Sequence, residues 1–458
     1  MVFSSILFIF RFLPMAMILY FLTPTKFKNL TLLIVSLIFY SWGEPKYFLI
    51  MVASIVVDYL VSRGIEKSRN NKKICILLLS ISMIFNLGML FFFKYFNFFI
   101  ENVNNILGLS LKYVNITLPL GISFYTFQTM SYTIDVFLGK VKAEKNIINF
   151  GAFVCLFPQL IAGPIVKYTD INLELKNRKI DIIQIQHGIE LFIIGLGSKV
   201  LIANNIGAFW SEIEGRGFGG VGTIIAWMSV LAFALQIYFD FSGYSLMAIG
   251  LGKILGFNFP RNFNYPYISK SITEFWRRWH ITLGSWFKEY VYIPLGGNRV
   301  GRLRLYINLF IVWFLTGFWH GASYNFILWG LYFFILISIE KAVLLKVLKN
   351  HKIISHIYSI FFILLGWAIF AVLDLEQLKI LLKEMFSISK NSQWIYYIRN
   401  YGITFIIAAV LSTPMVKNIY NKLIKSDILK TFILMVIFLI SIAYLVDATY
   451  NPFLYFRF

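Results

Sequence analysis

Charge is scarce in this chain. Only 14% of its 458 residues are Asp, Glu, Lys or Arg, against about 25% in soluble domains, so water is not its main solvent. Cysteine is scarcer still. Cys75 and Cys155, the two present, both fall inside apolar runs, which excludes a disulfide framework and leaves two buried thiols. The five histidines are scattered, and scatter does not supply the clustered ligands of a metal centre. No Gly-x-Ser-x-Gly elbow, His-Glu-x-x-His pair, phosphate-binding glycine loop or Cys-x-x-Cys occurs, which sets aside the chemistries those motifs serve. Repeats of about 20 to 50 residues, low-complexity tracts and a matched pair of broken helices are also missing.

What is abundant is hydrocarbon: 59% of residues are hydrophobic. Long apolar stretches cover Ile6–Leu22, Ile74–Phe93, Ile224–Phe239, Leu305–Phe318 and Phe432–Val446, and a helix needs about 20 such residues to cross a bilayer. The pattern predicts an all-α polytopic membrane protein with about ten to twelve crossings, some short or interrupted. Gly, Pro, Asn and Gln inside the spans require a packed interior or a cavity to satisfy the freed backbone. Two such breaks, Leu118–Gln128 and Phe157–Pro164, line a cavity or form a kink. The opening run lacks a basic start and a small-residue cleavage site, so it reads as retained, not as a cleaved signal.

Lys and Arg number 42 against 21 acids, an excess that cytoplasmic loops explain under the positive-inside rule. The loop with Arg63, Lys67, Arg69, Lys72 and Lys73 faces the single acid Glu66 and reads as cytoplasmic, as does the loop with Lys26 and Lys28. The N-terminus is then outside if Ile6–Leu22, Leu30–Tyr40 and Tyr47–Val61 each span. The stretches 341–352 and 391–425 read as loops or interfacial helices. The protein is expected in the cell (cytoplasmic) membrane as one multi-pass domain: N-terminal helices over 1–116, a core over 117–340 and C-terminal helices over 341–458.

Residues 269–304 interleave seven cations with Phe275, Trp276, Trp279, Trp286, Phe287, Tyr290 and Tyr292. Aromatics of this kind mark a membrane–water interface, and their place between spans argues against a nucleic-acid partner. If Phe275–Phe287 is helical, Trp276, Trp279, His280 and Leu283 share one face while Arg277, Arg278 and Lys288 lie toward others. A cationic rim above tryptophans suits a phosphate-bearing thioester such as coenzyme A or phosphopantetheine; an anchoring interfacial helix is the alternative.

Among the histidines, His351 and His356 read as solvated interface residues and His187 as a cap or headgroup contact. His320 is different. It ends the run Trp313–Phe318-Trp319-His320-Gly321, and sixteen helical residues from Arg304 rise about 24 Å, past the middle of a core ~30 Å thick. An imidazole at that depth is either functional or a hydrogen bond between helices. Asp240, ending another apolar run, is either buried beside a basic partner or an interfacial carboxylate.

Read together, Tyr238-Phe239-Asp240-Phe241-Ser242-Gly243-Tyr244, Asn262-Phe263-Asn264-Tyr265-Pro266-Tyr267, Phe275-Trp276-Arg277-Arg278-Trp279-His280-Ile281-Thr282-Leu283, Tyr292-Ile293-Pro294-Leu295-Gly296-Gly297-Asn298-Arg299 and Phe318-Trp319-His320-Gly321 resemble the membrane-bound O-acyltransferase family. Within it, the chain is similar to the branch that O-acetylates exported polysaccharides. Residues 118–137 and the terminal run 452–458 match as well. The Tyr292–Arg299 run favours that branch over the teichoic-acid D-alanyl transferases.

The resemblance implies a ring of tilted helices about a thin centre, where a cytoplasmic donor tunnel and an outer acceptor funnel meet near His320, with His280 at the second polar position. His320 and His280 are thus the expected catalytic residues, and Tyr238, Asp240, Trp276, Arg277, Arg278, Trp279 and Asn325 the expected substrate contacts. Neutral His320 would act as general base on an acceptor hydroxyl, and His280 would orient the donor or stabilise the oxyanion. The donor would be acetyl-CoA or a phosphopantetheine thioester, with no permanently bound cofactor and no metal. Membrane lipid, a glycan acceptor and an extracytoplasmic partner of the SGNH-hydrolase type are the expected partners. D-alanyl transfer from a carrier protein, a permease or flippase with a proton relay, and a scaffold for an acetylating partner are the rival readings.

Overall fold

The computed structural model describes residues 2–388, 391–447, Asn451 and Leu454. Among them every regular element is helical, as hydrocarbon solvent requires of a chain with no closed barrel. Among the described residues seven helices are long and apolar enough to cross a membrane: α3 (Phe48–Lys67), α4 (Lys72–Leu107), α7 (Ile182–Arg216), α8 (Thr223–Ile254), α13 (Lys352–Ala371), α14 (Trp394–Leu411) and α15 (Asp427–Asp447). Other runs form helices that fall short in length or in apolarity: α1 (Phe8–Leu22), α2 (Lys28–Gly43), α5 (Ile122–Phe137), α6 (Ile147–Cys155), α11 (Arg302–His320) and α12 (Tyr324–Ile339).

The chain gathers into two compact units, Met1–Phe192 with Ser245–Pro260, and Ile193–Tyr244 with Arg261–Phe458. In the first, α3, α4 and α5 enclose a polar knot. Asp58, with no exposed surface, accepts hydrogen bonds from the hydroxyls of Ser82 and Thr133 and from Asn86 Nδ2, while Thr129 donates to Asn86 Oδ1 at 3.1 Å. Such a network is tolerated because its members satisfy one another. The two Gly/Pro breaks meet within the same unit. A Cβ on Gly121, at φ +72°, would stand 2.7 Å from the Leu160 carbonyl oxygen, so each break makes room for the other's backbone.

The second unit is organised by the α11–α12 hairpin. A Cβ on Gly317 would lie 2.3 Å from the Phe326 carbonyl oxygen, and one on Gly330 2.5 Å from that of Trp313. Small residues let two helix backbones touch where hydrocarbon offers no hydrophobic drive for association. The crossing lies one turn before His320 and fixes where α11 ends. Gly317→Val is expected to wedge the hairpin apart, at a cost of about 1–3 kcal/mol from overpacking; a lower melting midpoint in detergent checks it.

The continuous helix expected over Phe275–Phe287 is broken. Residues Ile272–Arg278 form α9 and Ile281–Phe287 form α10, with Trp279 extended and His280 left-handed at φ 43°. The shared face of Trp276, Trp279 and His280 is therefore lost. Tertiary pairing makes the break: Asn264 N donates to Arg278 O and Ile281 N to Asn262 O, each at 2.9 Å, so an extended segment draws the chain out of the helix.

Candidate active site

His280 is held from one side by Asn262. Asn262 Oδ1 accepts from Thr282 N at 3.2 Å and from Thr282 Oγ1 at 2.9 Å, and stands 3.1 Å from His280 Nδ1. A backbone N–H can only donate, so that amide atom is the oxygen and Nδ1 carries the proton. Nε2 is then an acceptor. Burial pushes the imidazole down to about 3, so the ring is neutral at physiological pH. The left-handed backbone here and at Tyr265, φ 47°, stores strain of about 1–3 kcal/mol per residue, a cost that recurs at functional sites.

His320 is the last residue of α11 and is 7% exposed. Its ring lies 5.1 Å from those of Trp319, Trp329 and Phe370, all edge-on, and 6.4 Å from Phe326. Trp319 also stands 6.1 Å from His280, so one indole lies beside both imidazoles. The cage is rigid for local reasons. Asn325, fully buried, donates to Ile369 O at 3.3 Å and Phe370 O at 3.1 Å, tying the start of α12 to the end of α13 and setting the Phe370 ring against His320.

The expected substrate residues divide into three groups. Trp276 packs on Trp313, Trp329 and Phe333 at 4.9–5.2 Å, and Trp279 on Trp367 at 4.7 Å and Tyr238 at 6.2 Å. The structure thus brings Tyr238, Trp276, Trp279 and Asn325 into the aromatic body around His320. Arg277 is exposed, and burial together with its guanidinium pushes the Lys341 ammonium below its ordinary range. Arg278 is occupied at 2.9 Å by Glu274, and it donates to Asn264 O at 3.1 Å.

Asp240 is engaged elsewhere. Oδ1 lies 2.7 Å from Lys199 Nζ, both side chains 2% exposed, and Oδ2 accepts from Leu454 N at 2.8 Å. Lys199 Nζ also donates to Asn204 Oδ1 at 2.8 Å. Asp240 therefore has the buried basic partner that was one of its two readings. Of the terminal run 452–458, only Leu454 lies among the described residues, and it closes this clamp. His187, His351 and His356 are exposed, and His356 Nδ1 stands 3.2 Å from Ser269 O.

Sequence reasoning passed over Asn262 as the group that orients His280, Lys199, and the ring-bearing Trp319, Trp329, Trp367 and Phe370. Asn262 and Trp319 lie inside motifs that carry the family resemblance, whereas Lys199, Trp329, Trp367 and Phe370 carry no signal of a site in their local sequence.

The region holding all these residues is the one that known proteins share. The profile of MBOAT, the membrane-bound O-acyltransferase family, matches residues 137–373. The protein named "Probable alginate O-acetylase AlgI" from Pseudomonas aeruginosa is 39% identical over 394 residues, 84% of this chain and 75% of that one. A peptidoglycan O-acetyltransferase of Helicobacter pylori is 37% identical across 84% of this chain and 80% of its own. A teichoic acid D-alanyltransferase of Bacillus subtilis is 28% identical over 48% of this chain and 58% of its own. With the matched profile enclosing both buried imidazoles, and relatives aligned along most of its length, the chain belongs to the membrane-bound O-acyltransferase family and is an O-acyltransferase.

Proposed function

We propose that the chain, in the cell membrane, passes an acetyl group from a cytoplasmic thioester, acetyl-CoA or a phosphopantetheine carrier, toward O-acetylation of an exported polysaccharide. The acceptor is the glycan hydroxyl or a serine of an extracytoplasmic SGNH-hydrolase-like partner. The observation that carries the reading is His320, a single imidazole in a cage of indole and phenyl rings at the end of a helix inside the family-matched region. Neutral His320 takes the proton as the hydroxyl oxygen attacks the thioester carbonyl carbon. The C–S bond then breaks, and the imidazolium returns the proton to the departing thiolate.

His280 orients the donor. With Nε2 an acceptor, it suits an amide N–H of a pantetheine arm, whereas oxyanion stabilisation requires the other tautomer. Trp276 and Trp279 line the arm's path and Arg277 meets the phosphates. Asn325 acts by holding the cage, and Asp240 by holding the fold. The alginate and peptidoglycan O-acetylating relatives, more similar than the D-alanyl transferase and over more of the chain, favour acetyl over D-alanyl transfer.

Free thiol released from acetyl-CoA by the purified chain in nanodiscs, with an alginate oligomer or a peptidoglycan fragment present, tests the reading. Acceptor-dependent thiol release supports it. Movement of a solute across vesicles with no thioester consumed would instead establish the permease reading.

A further inference from the structure

The two histidines ride on separate elements, and one buried carboxylate ties the helix before His280 to the far end of the hairpin that carries His320. His320 ends α11, whose hairpin partner α12 runs to Ile339. Immediately after it the chain widens into a π-helical turn, Glu340–Leu344, a rare irregularity that is frequent at functional sites. The turn directs Glu340 inward, with no exposed surface. There it accepts three hydrogen bonds from the first turn of α9: Ile272 N at 2.6 Å, Thr273 N at 2.9 Å and Thr273 Oγ1 at 2.6 Å.

A seven-residue helix cannot sustain itself, because nucleation is unfavourable and its first N–H groups have no partners within the helix. Ser271 Oγ takes the Glu274 N–H at 3.0 Å, and Glu340 takes the two before it. A carboxylate at a helix N-terminus is also favoured by the dipole. The far end of α9 delivers Trp279 and the strained His280.

We infer that Glu340 is a positioning residue of the acyl-transfer site, fixing the helix that leads to His280 against the hairpin that carries His320. The inference rests on the function proposed above and adds a residue to it. Glu340 touches no reacting atom; it sets where the donor-binding face of α9 stands.

Glu340→Gln keeps the shape but replaces one acceptor oxygen with an NH2 that meets donors. The donor KM, read as thiol release from acetyl-CoA in nanodiscs, is expected to rise about tenfold with kcat changed less than threefold. Hydrogen exchange of the 268–282 segment is expected to quicken about tenfold. Thr273→Val deletes one of the three bonds without a buried charge change, and is expected to raise the donor KM two- to threefold even if Glu340→Gln folds poorly. An unchanged donor KM in both variants, with kcat falling only in step with the folded fraction, would overturn the inference. A wild-type chain that releases no thiol with both the glycan fragment and the partner protein supplied defeats the acyl-transfer reading itself, and exchange then decides separately whether Glu340 holds the helix.

Discussion

His320→Ala is expected to lower kcat for acetyl transfer by about 10²–10⁴-fold, the usual contribution of a positioned general base. The effect should be large because the rings around His320, from Trp319, Trp329, Phe326 and Phe370, cannot take up a proton. Truncation also opens a void among them, so His320→Gln, closer in volume, is the companion variant; both should show the same large fall in kcat while Gln retains more of the native melting midpoint. Positioning in the membrane must supply much of the remaining acceleration. Full transfer by a correctly inserted His320→Ala chain would assign the imidazole to helix–helix contact alone.

The second large effect falls on stability. Asp240→Ala is expected to cost about 3–5 kcal/mol, because it strands the Lys199 ammonium in a site 2% exposed. That is a large part of the 5–15 kcal/mol that holds a typical domain together. Removing both charges avoids the stranded ion, so Lys199→Met with Asp240→Leu should recover most of the folded yield that either single change loses. Size-exclusion profiles and thermal midpoints of these variants in detergent read this directly. The double variant also separates two roles: a clamp predicts that it keeps activity, whereas a substrate contact predicts a folded but inactive protein. An Asp240→Ala chain as stable as the wild type would contradict the clamp.

How much was legible in the sequence followed the range of the interactions. Hydrophobic runs announced the spans, since length and apolarity are local properties. His320 announced itself by counting residues from Arg304 along one helix, and α11 does run unbroken to it. The His280 environment did not, because Phe275–Phe287 has helical spacing throughout and only its pairing with Asn262 and Asn264 interrupts it. The partner of Asp240 was equally hidden: Lys199 lies on another helix, in a π-helical turn, Ser198–Ala203, that has no periodicity to read. Arg278, which looked like part of a cationic rim, is taken up by its own helix neighbour Glu274. The crossing at Gly317 and Gly330 is a tertiary fact that a glycine in an apolar run does not disclose.

Proteoliposomes bring the account to one decision. The chain is reconstituted in one orientation, acetyl-CoA is sealed on the cytoplasmic-loop side, and an alginate oligomer or a peptidoglycan fragment is supplied on the other, with the extracytoplasmic partner protein added where required. The account predicts acetyl ester on the outer acceptor and free coenzyme A thiol retained inside, both abolished by His320→Gln. Ester formation only when donor and acceptor share a compartment, or intact acetyl-CoA recovered outside, would contradict it.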